Sequence, residues 1–368
     1  MWYVLQRRTN RLISVITYLL LAVLFVSNSG LLGDAELYKW YFEKGIFSNG
    51  VFEVGYTFVE KMLHMCGIHI YTGLLVALFL IGSIFVWIGL RRYHISYHCV
   101  FAIIMPFIFP TYATAIRFFV ASAIMVASIR YLVEKRYWLF ALFVVLAGLF
   151  HLLSLFYVVF YICGTKRMTT ISESKKFFLW FVVFFSILSF AISVTIKTNP
   201  LVMFSVKIAA VLFNVSDNKL DTYTTSYTNL GGLIFFFIYL CGLVTAIAIR
   251  REMIHDNNTD IVNLEVDNSI IKSYVMINYS INLLLSVILP FVAMSLIFYR
   301  LLIIGQITNA VAIGMLIGRK RCEKEHGKII VSPMRALFLV SCLSWLVPEI
   351  VGINGITIKG IFDSSLLF

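Results

Sequence analysis

Apolar residues in this chain do not alternate with polar ones. They form long unbroken blocks, separated by short clusters rich in Lys and Arg. Such blocks predict membrane-crossing helices and exclude the two-residue alternation of barrel strands. The block edges place spans near 12–30, 69–90, 97–112, 113–133, 177–196, 230–249, 270–289, 291–318 and 334–350. One further block, 137–163, is 27 residues long, with Glu134-Lys135-Arg136 before it and Lys166-Arg167 after it. It is either one long tilted crossing or a hairpin of two short half-spans.

Charge separates these two readings, because basic residues gather on the cytoplasmic side of short membrane loops. With a hairpin, 21 Lys and Arg lie inside and 7 outside, while Arg117 and Arg300 fall within spans. With a single crossing, everything after the block inverts, and the count becomes 12 inside and 16 outside. A hairpin is therefore expected, turning near Gly148 to His151. Half-spans of about 13 residues reach only about 20 Å, so the turn lies at or below the outer face. The expected fold is an all-α polytopic membrane bundle of about eleven helices, counting both halves, in one domain over 1–368. Its N-terminus lies inside and its C-terminus outside.

Composition narrows the function classes. Apolar residues make up 61% of the 368 and charged residues 13%, about half the charge of a soluble domain. That excludes a soluble enzyme, a disordered chain and a nucleic-acid binder. The net charge of +12 reads as the cytoplasmic excess of Lys and Arg, not as a nucleic-acid surface. The six Cys are scattered, with no CxxC and no His at ligand spacing, so neither a disulfide framework nor a zinc site is expected. No cofactor is expected either: GxxxxGK[ST], HExxH and GxSxG are all absent. Residues 12–29 follow Arg7, Arg8 and Arg11 as a retained first span.

Two outer loops are long. Residues 31–68 carry Asp34, Glu36, Glu43, Glu53 and Glu60 among Tyr38, Trp40, Tyr41 and Tyr56. Residues 197–229 carry Asp217, Asp221, Tyr223 and Tyr227 behind an apolar stretch, 201–213, suited to the membrane surface. The inner loop 250–269 reads as a solvated connector. Charges inside spans are costly and mark candidate sites. Arg117, Arg300 and, at the hairpin turn, His151 all fall in the outer half of the membrane. A guanidinium holds its charge and grips phosphate oxygens in pairs, so Arg117 and Arg300 are candidates to hold a diphosphate. Asp34 and Glu53, at the mouth of the bundle, are candidate general bases. Glu36, Glu43 and Glu60 read as solvated loop acids. The outer aromatics, Tyr38 and Tyr56 among them, are either interface anchors or sugar-stacking rings. Asn278 and Asn282, one turn apart, read as polar packing between helices.

Several short segments together resemble a known family: Asp34-x3-Tyr38, Phe52-Glu53-Val54-Gly55-Tyr56, Ala115-Ile116-Arg117-Phe118-Phe119 with Ala121 and Ala123, Leu146-Ala147-Gly148-Leu149-Phe150-His151, and Phe298-Tyr299-Arg300. Their order and spacing resemble the EpsG family, a branch of the Wzy-type O-antigen and exopolysaccharide polymerases, from about residue 30 to about 310. One position departs: the family commonly has Gln where this chain has Phe118. The resemblance implies a GT-C-like, metal-independent glycosyltransferase of the bacterial inner membrane. Its substrate would be an undecaprenyl-diphosphate-linked oligosaccharide, its surroundings membrane lipids, and a chain-length regulator a further candidate partner. On that reading Arg117 and Arg300 hold the diphosphate, and Asp34, Glu53 or His151 serves as the base. An O-antigen ligase, a flippase for the lipid-linked unit and a membrane acyltransferase are the rival readings. Ligases usually carry their larger loop late in the chain, inverted-repeat transporters show internal symmetry that is missing here, and the remaining His residues lack an acyltransferase context.

Overall fold

The computed structural model describes residues 11–26, 34–47, 52–93, 115–165, 175–195, 229–255, 268–294, 296–319, 333–344 and 347. The described secondary structure is helical almost throughout: α1 (Arg11–Val26), α2 (Asp34–Lys44), α3 (Val54–Met65), α4 (Tyr71–Leu90), α5 (Ile116–Val133), α6 (Tyr137–Phe150), α7 (Lys175–Thr195), α8 (Asn229–His255), α9 (Asn268–Leu284), α10 (Leu289–Met294), α11 (Ile303–Arg319) and α12 (Pro333–Ser344). Among the described residues, five segments are long and apolar enough to cross a membrane: Tyr71–Tyr93, Ile116–Val133, Leu233–Ile254, Ser269–Val292 and Phe298–Leu316. This is a multi-pass helical membrane protein. The expected span 97–112 and the surface stretch 201–213 lie outside the described residues, as does most of the inner loop 250–269.

Block 137–163 doubles back. The α-helix α6 runs to Phe150, the backbone extends at His151 (φ −155°, ψ 111°), and a tighter 3-10 leg returns over Leu152–Gly164. The two ends meet: the Tyr137 hydroxyl donates to the Gly164 carbonyl at 2.8 Å, and the Tyr137 and Tyr161 rings stand 5.0 Å apart. The α-helical leg is about 21 Å long and the 3-10 leg about 26 Å, each short of a full crossing. The expected hairpin is present, and His151 is its tip.

Span 291–318 starts later than expected: residues up to Val292 belong to the crossing Ser269–Val292, and the next crossing is Phe298–Leu316. Within the crossing Ser269–Val292 the chain tightens to 3-10 geometry at Leu285–Ile288, just ahead of Pro290, which has no N–H to offer the preceding turn. A second 3-10 segment, Leu296–Leu302, precedes α11. Arg300 therefore sits in the opening turns of the crossing Phe298–Leu316, not ten residues into it.

Helices α5 and α11 are the most enclosed of the crossings. Ala121, Ser122, Ala123, Ala127 and Ser128 on α5 are all buried, and side chains this small let neighbouring helices approach closely. In the other half of the bundle, a layer of amides joins α8, α9, α11 and α12. Asn278 Nδ2 donates to Asn309 Oδ1 at 2.9 Å, and Asn282 Nδ2 to the Asn278 carbonyl at 2.9 Å. Asn309 Nδ2 donates to the Gly242 carbonyl at 2.9 Å, and the Ser341 hydroxyl to Gln306 Oε1 at 2.7 Å. This bears out the packing role expected for Asn278 and Asn282.

Candidate functional site

Residues 34–47 and 52–68 fold as two short helices, α2 and α3, which turn out at Gly45 and Gly67 (φ +64° and +78°). They lie over the start of α5 and the hairpin tip. Glu53 is the residue before α3, in extended backbone. Gly55 lets α3 settle there: a Cβ at this position would stand 2.8 Å from the Leu149 carbonyl oxygen. That close approach brings Glu53 to both of its partners. Glu53 Oε1 accepts the Leu152 backbone N–H at 3.2 Å, and Glu53 Oε2 accepts a hydrogen bond from Arg117 Nη1.

Arg117 is the second residue of α5, where the positive end of the helix dipole disfavours a cation. Its neighbours offset that. Besides the Glu53 carboxylate, Tyr38 Oη accepts a hydrogen bond from Arg117 Nε at 3.0 Å. The guanidinium carbon lies 5.0 Å from the ring centres of Tyr38 and Phe52 and 5.9 Å from that of Tyr56. Three aromatic faces and one carboxylate thus hold a cation whose side chain keeps 14% of its surface exposed. The two bonds to Glu53 and Tyr38 use two of the five N–H donors of the guanidinium.

The hairpin tip brings in the remaining residues. His151 is buried (6% exposed) with its ring 5.1 Å from Phe118, edge to face, and its Nδ1 has no hydrogen-bond partner among the described residues. Phe118 makes this side of the imidazole apolar. The returning leg packs on the segment that holds Arg300. Phe156 and Phe298 stand 5.8 Å apart, and the Tyr157 hydroxyl donates to the Leu301 carbonyl at 3.4 Å. The hairpin thus packs its tip on Phe118, the residue after Arg117, and its returning leg on the segment of Arg300.

Other expectations change. Tyr38 and Tyr56, read as sugar-stacking rings, are 2% and 0% exposed. Their faces are occupied by Arg117, Phe52 and each other, so neither presents a surface to a sugar in this structure. Glu53, read as a base, is bound to Arg117 and the Leu152 amide. Asp34 opens α2, one turn before Tyr38, and its side chain lies outside the described residues. Glu60, read as a solvated acid, is 1% exposed. Burial pushes its carboxyl up to about 7, with Tyr56 and the Arg117 charge acting in the opposite direction. Its i,i+4 spacing from Tyr56 was the available signal. Among the described residues, no three His, Cys, Asp or Glu side chains gather in a way that could hold a metal ion.

The fold and site define a multi-pass helical membrane protein with an aromatic-caged arginine beneath a cover of two short helices. The chain belongs to the EpsG family, whose model matches residues 11–349. No curated protein and no solved structure matches it.

Proposed function

We propose that this chain is a polysaccharide polymerase, a glycosyltransferase that joins oligosaccharide repeat units carried on undecaprenyl diphosphate. The reading places the reaction at the outer face of the bacterial inner membrane, in a GT-C-like bundle of about eleven helices with the N-terminus inside and the C-terminus outside. The observation that carries it is the hairpin whose tip, at His151, packs on Phe118 beside Arg117 and whose returning leg packs on the segment of Arg300, in a chain of the EpsG family.

The acceptor hydroxyl attacks the anomeric carbon of the growing chain. The bond from that carbon to the diphosphate oxygen breaks, and the electron pair passes to the diphosphate. Arg117 and Arg300 hold the charge that develops there, a role that preorganised cations fill without reorganising during the step. Glu53, Tyr38 and Tyr56 fix the Arg117 guanidinium in place. Asp34 or His151 takes the proton that the acceptor hydroxyl loses; where Asp34 takes it, His151 holds a phosphate oxygen. Membrane lipids surround the site, and a chain-length regulator is a further candidate partner.

Deleting the gene in its host and separating the surface polysaccharide on a gel tests this. A single-repeat band in place of a ladder is expected. An unchanged ladder contradicts the reading. Loss of every attached band with accumulation of lipid-linked polymer identifies a ligase instead, and single units stranded on the cytoplasmic side identify a flippase.

A further inference from the structure

Helix α5 has 18 residues and is about 27 Å long, so its far end lies across the bundle from Arg117. There Glu134, the only Asp or Glu between Tyr71 and Thr165, faces three guanidinium groups. Its carboxylate meets Arg130 Nε at 2.9 Å, Arg92 Nε at 3.4 Å and Arg136 Nε at 3.7 Å. Arg130 is buried, and its Nη1 also donates to the Ile88 carbonyl at 2.9 Å. The Arg92 and Arg136 side chains are 51% and 62% exposed and reach Glu134 through Nε. Each guanidinium has five N–H donors, so one carboxylate shared by three leaves most of them for another acceptor. Lys135 sits between Glu134 and Arg136 in left-handed backbone (φ 59°). It closes α5 with its own N–H on the Leu132 carbonyl at 3.1 Å and the Arg136 N–H on the Tyr131 carbonyl at 2.8 Å. Glycine is the residue this conformation favours, and a lysine held there points to a use for its charge. Arg91, exposed, stands over the Trp87 ring at 5.2 Å, and Trp138 is exposed just past Arg136.

We propose that this cluster binds the phosphate of an anionic phospholipid, an inference independent of the polymerase reading. Arg91, Arg92, Lys135 and Arg136 are exposed cations, and an anionic headgroup is their complement at a membrane surface. The Nη forks of Arg92 and Arg136 match the spacing of phosphate oxygens. Trp87 and Trp138 put the cluster at the depth where headgroups lie, and the Lys and Arg count puts it on the inner side. A phosphate between Arg92 and Arg136 ties the end of α4 to the turn between α5 and α6. It also offsets the repulsion that three Arg side chains around one carboxylate leave.

The full chain, purified in detergent, is titrated with phosphatidylglycerol, with phosphatidylcholine and with inorganic phosphate, and its thermal unfolding is followed. Phosphatidylglycerol at saturation should raise Tm by on the order of 5 °C, and phosphatidylcholine should not. Added salt should shrink the gain. The triple variant Arg92→Gln, Lys135→Gly, Arg136→Gln keeps the Arg130–Glu134 pair. It should need on the order of 10²-fold more phosphatidylglycerol for the same rise. Lys135→Gly alone separates lipid binding from folding. Glycine adopts φ 59° without strain, so this variant should be at least as stable as wild type without lipid. It should still bind phosphatidylglycerol about fivefold more weakly. Wild-type affinity for phosphatidylglycerol in the triple variant or in Lys135→Gly overturns the proposal. An equal gain from phosphatidylcholine overturns it too, and so does the full gain from inorganic phosphate, which would make the site one for a soluble anion.

Discussion

Two polar assemblies are buried in this bundle, and they are built on opposite principles. The amide layer of α8, α9, α11 and α12 is neutral, and each of Asn278, Asn282, Asn309 and Gln306 donates a hydrogen bond within it. The assembly around Arg117 is charged, rests on aromatic faces, and leaves Tyr56, Glu60 and His151 with unpartnered atoms. A closed neutral layer fixes how helices pack where lipid offers no hydrogen bonds. An incomplete charged one has capacity left for a ligand. The difference separates polar residues that hold the fold from those that work.

Arginine removal should separate the two assemblies most sharply. Arg117→Ala or Arg300→Ala should lower polymer formation by 10²-fold or more with membrane abundance unchanged, as measured by gel and immunoblot. Glu53→Gln should come next. It removes the charge facing Arg117 while still accepting the Leu152 amide, and should cost about 1–3 kcal/mol of stability together with most of the activity, measured by thermal unfolding in detergent and by joining rate. Asn309→Leu should reverse the balance. It removes bonds to Asn278 and Gly242, each about 0.6–2 kcal/mol in a membrane, so unfolding temperature falls while activity per folded molecule holds. Gly55→Ala should act through geometry: its Cβ meets the Leu149 carbonyl, α3 lifts, and Glu53 loses its reach to Leu152, seen as a partial loss of polymer length. Phe118→Gln should be the mildest. It gives His151 a polar neighbour and should leave the ladder intact on the same gel.

Much of the bundle was legible because lipid requires long apolar helices, and these show in sequence without alignment. The hairpin was legible because Lys and Arg mark the inner side. The late start of the crossing that holds α11 was missed, because hydropathy averages across a change from α to 3-10 geometry such as Leu296–Leu302. Arg117, Arg300 and His151 could be picked out because each is a polar group in an apolar setting. The roles of Tyr38, Tyr56 and Glu60 were not legible, since segment 31–68 reads as a loop until α2 and α3 fold over Arg117. Only that cover turns outward-looking tyrosines into a cage and a solvated acid into a buried one.

The central claim is that Arg117, held by Glu53 and Tyr38, grips the leaving diphosphate. The direct measurement is the polysaccharide ladder of a deletion strain carrying Arg117→Lys at wild-type membrane level. Lysine keeps the charge but loses the paired N–H fork and the planar fit between aromatic rings. A ladder collapsed toward the single repeat is the predicted result. A full ladder of wild-type length and amount would contradict the account.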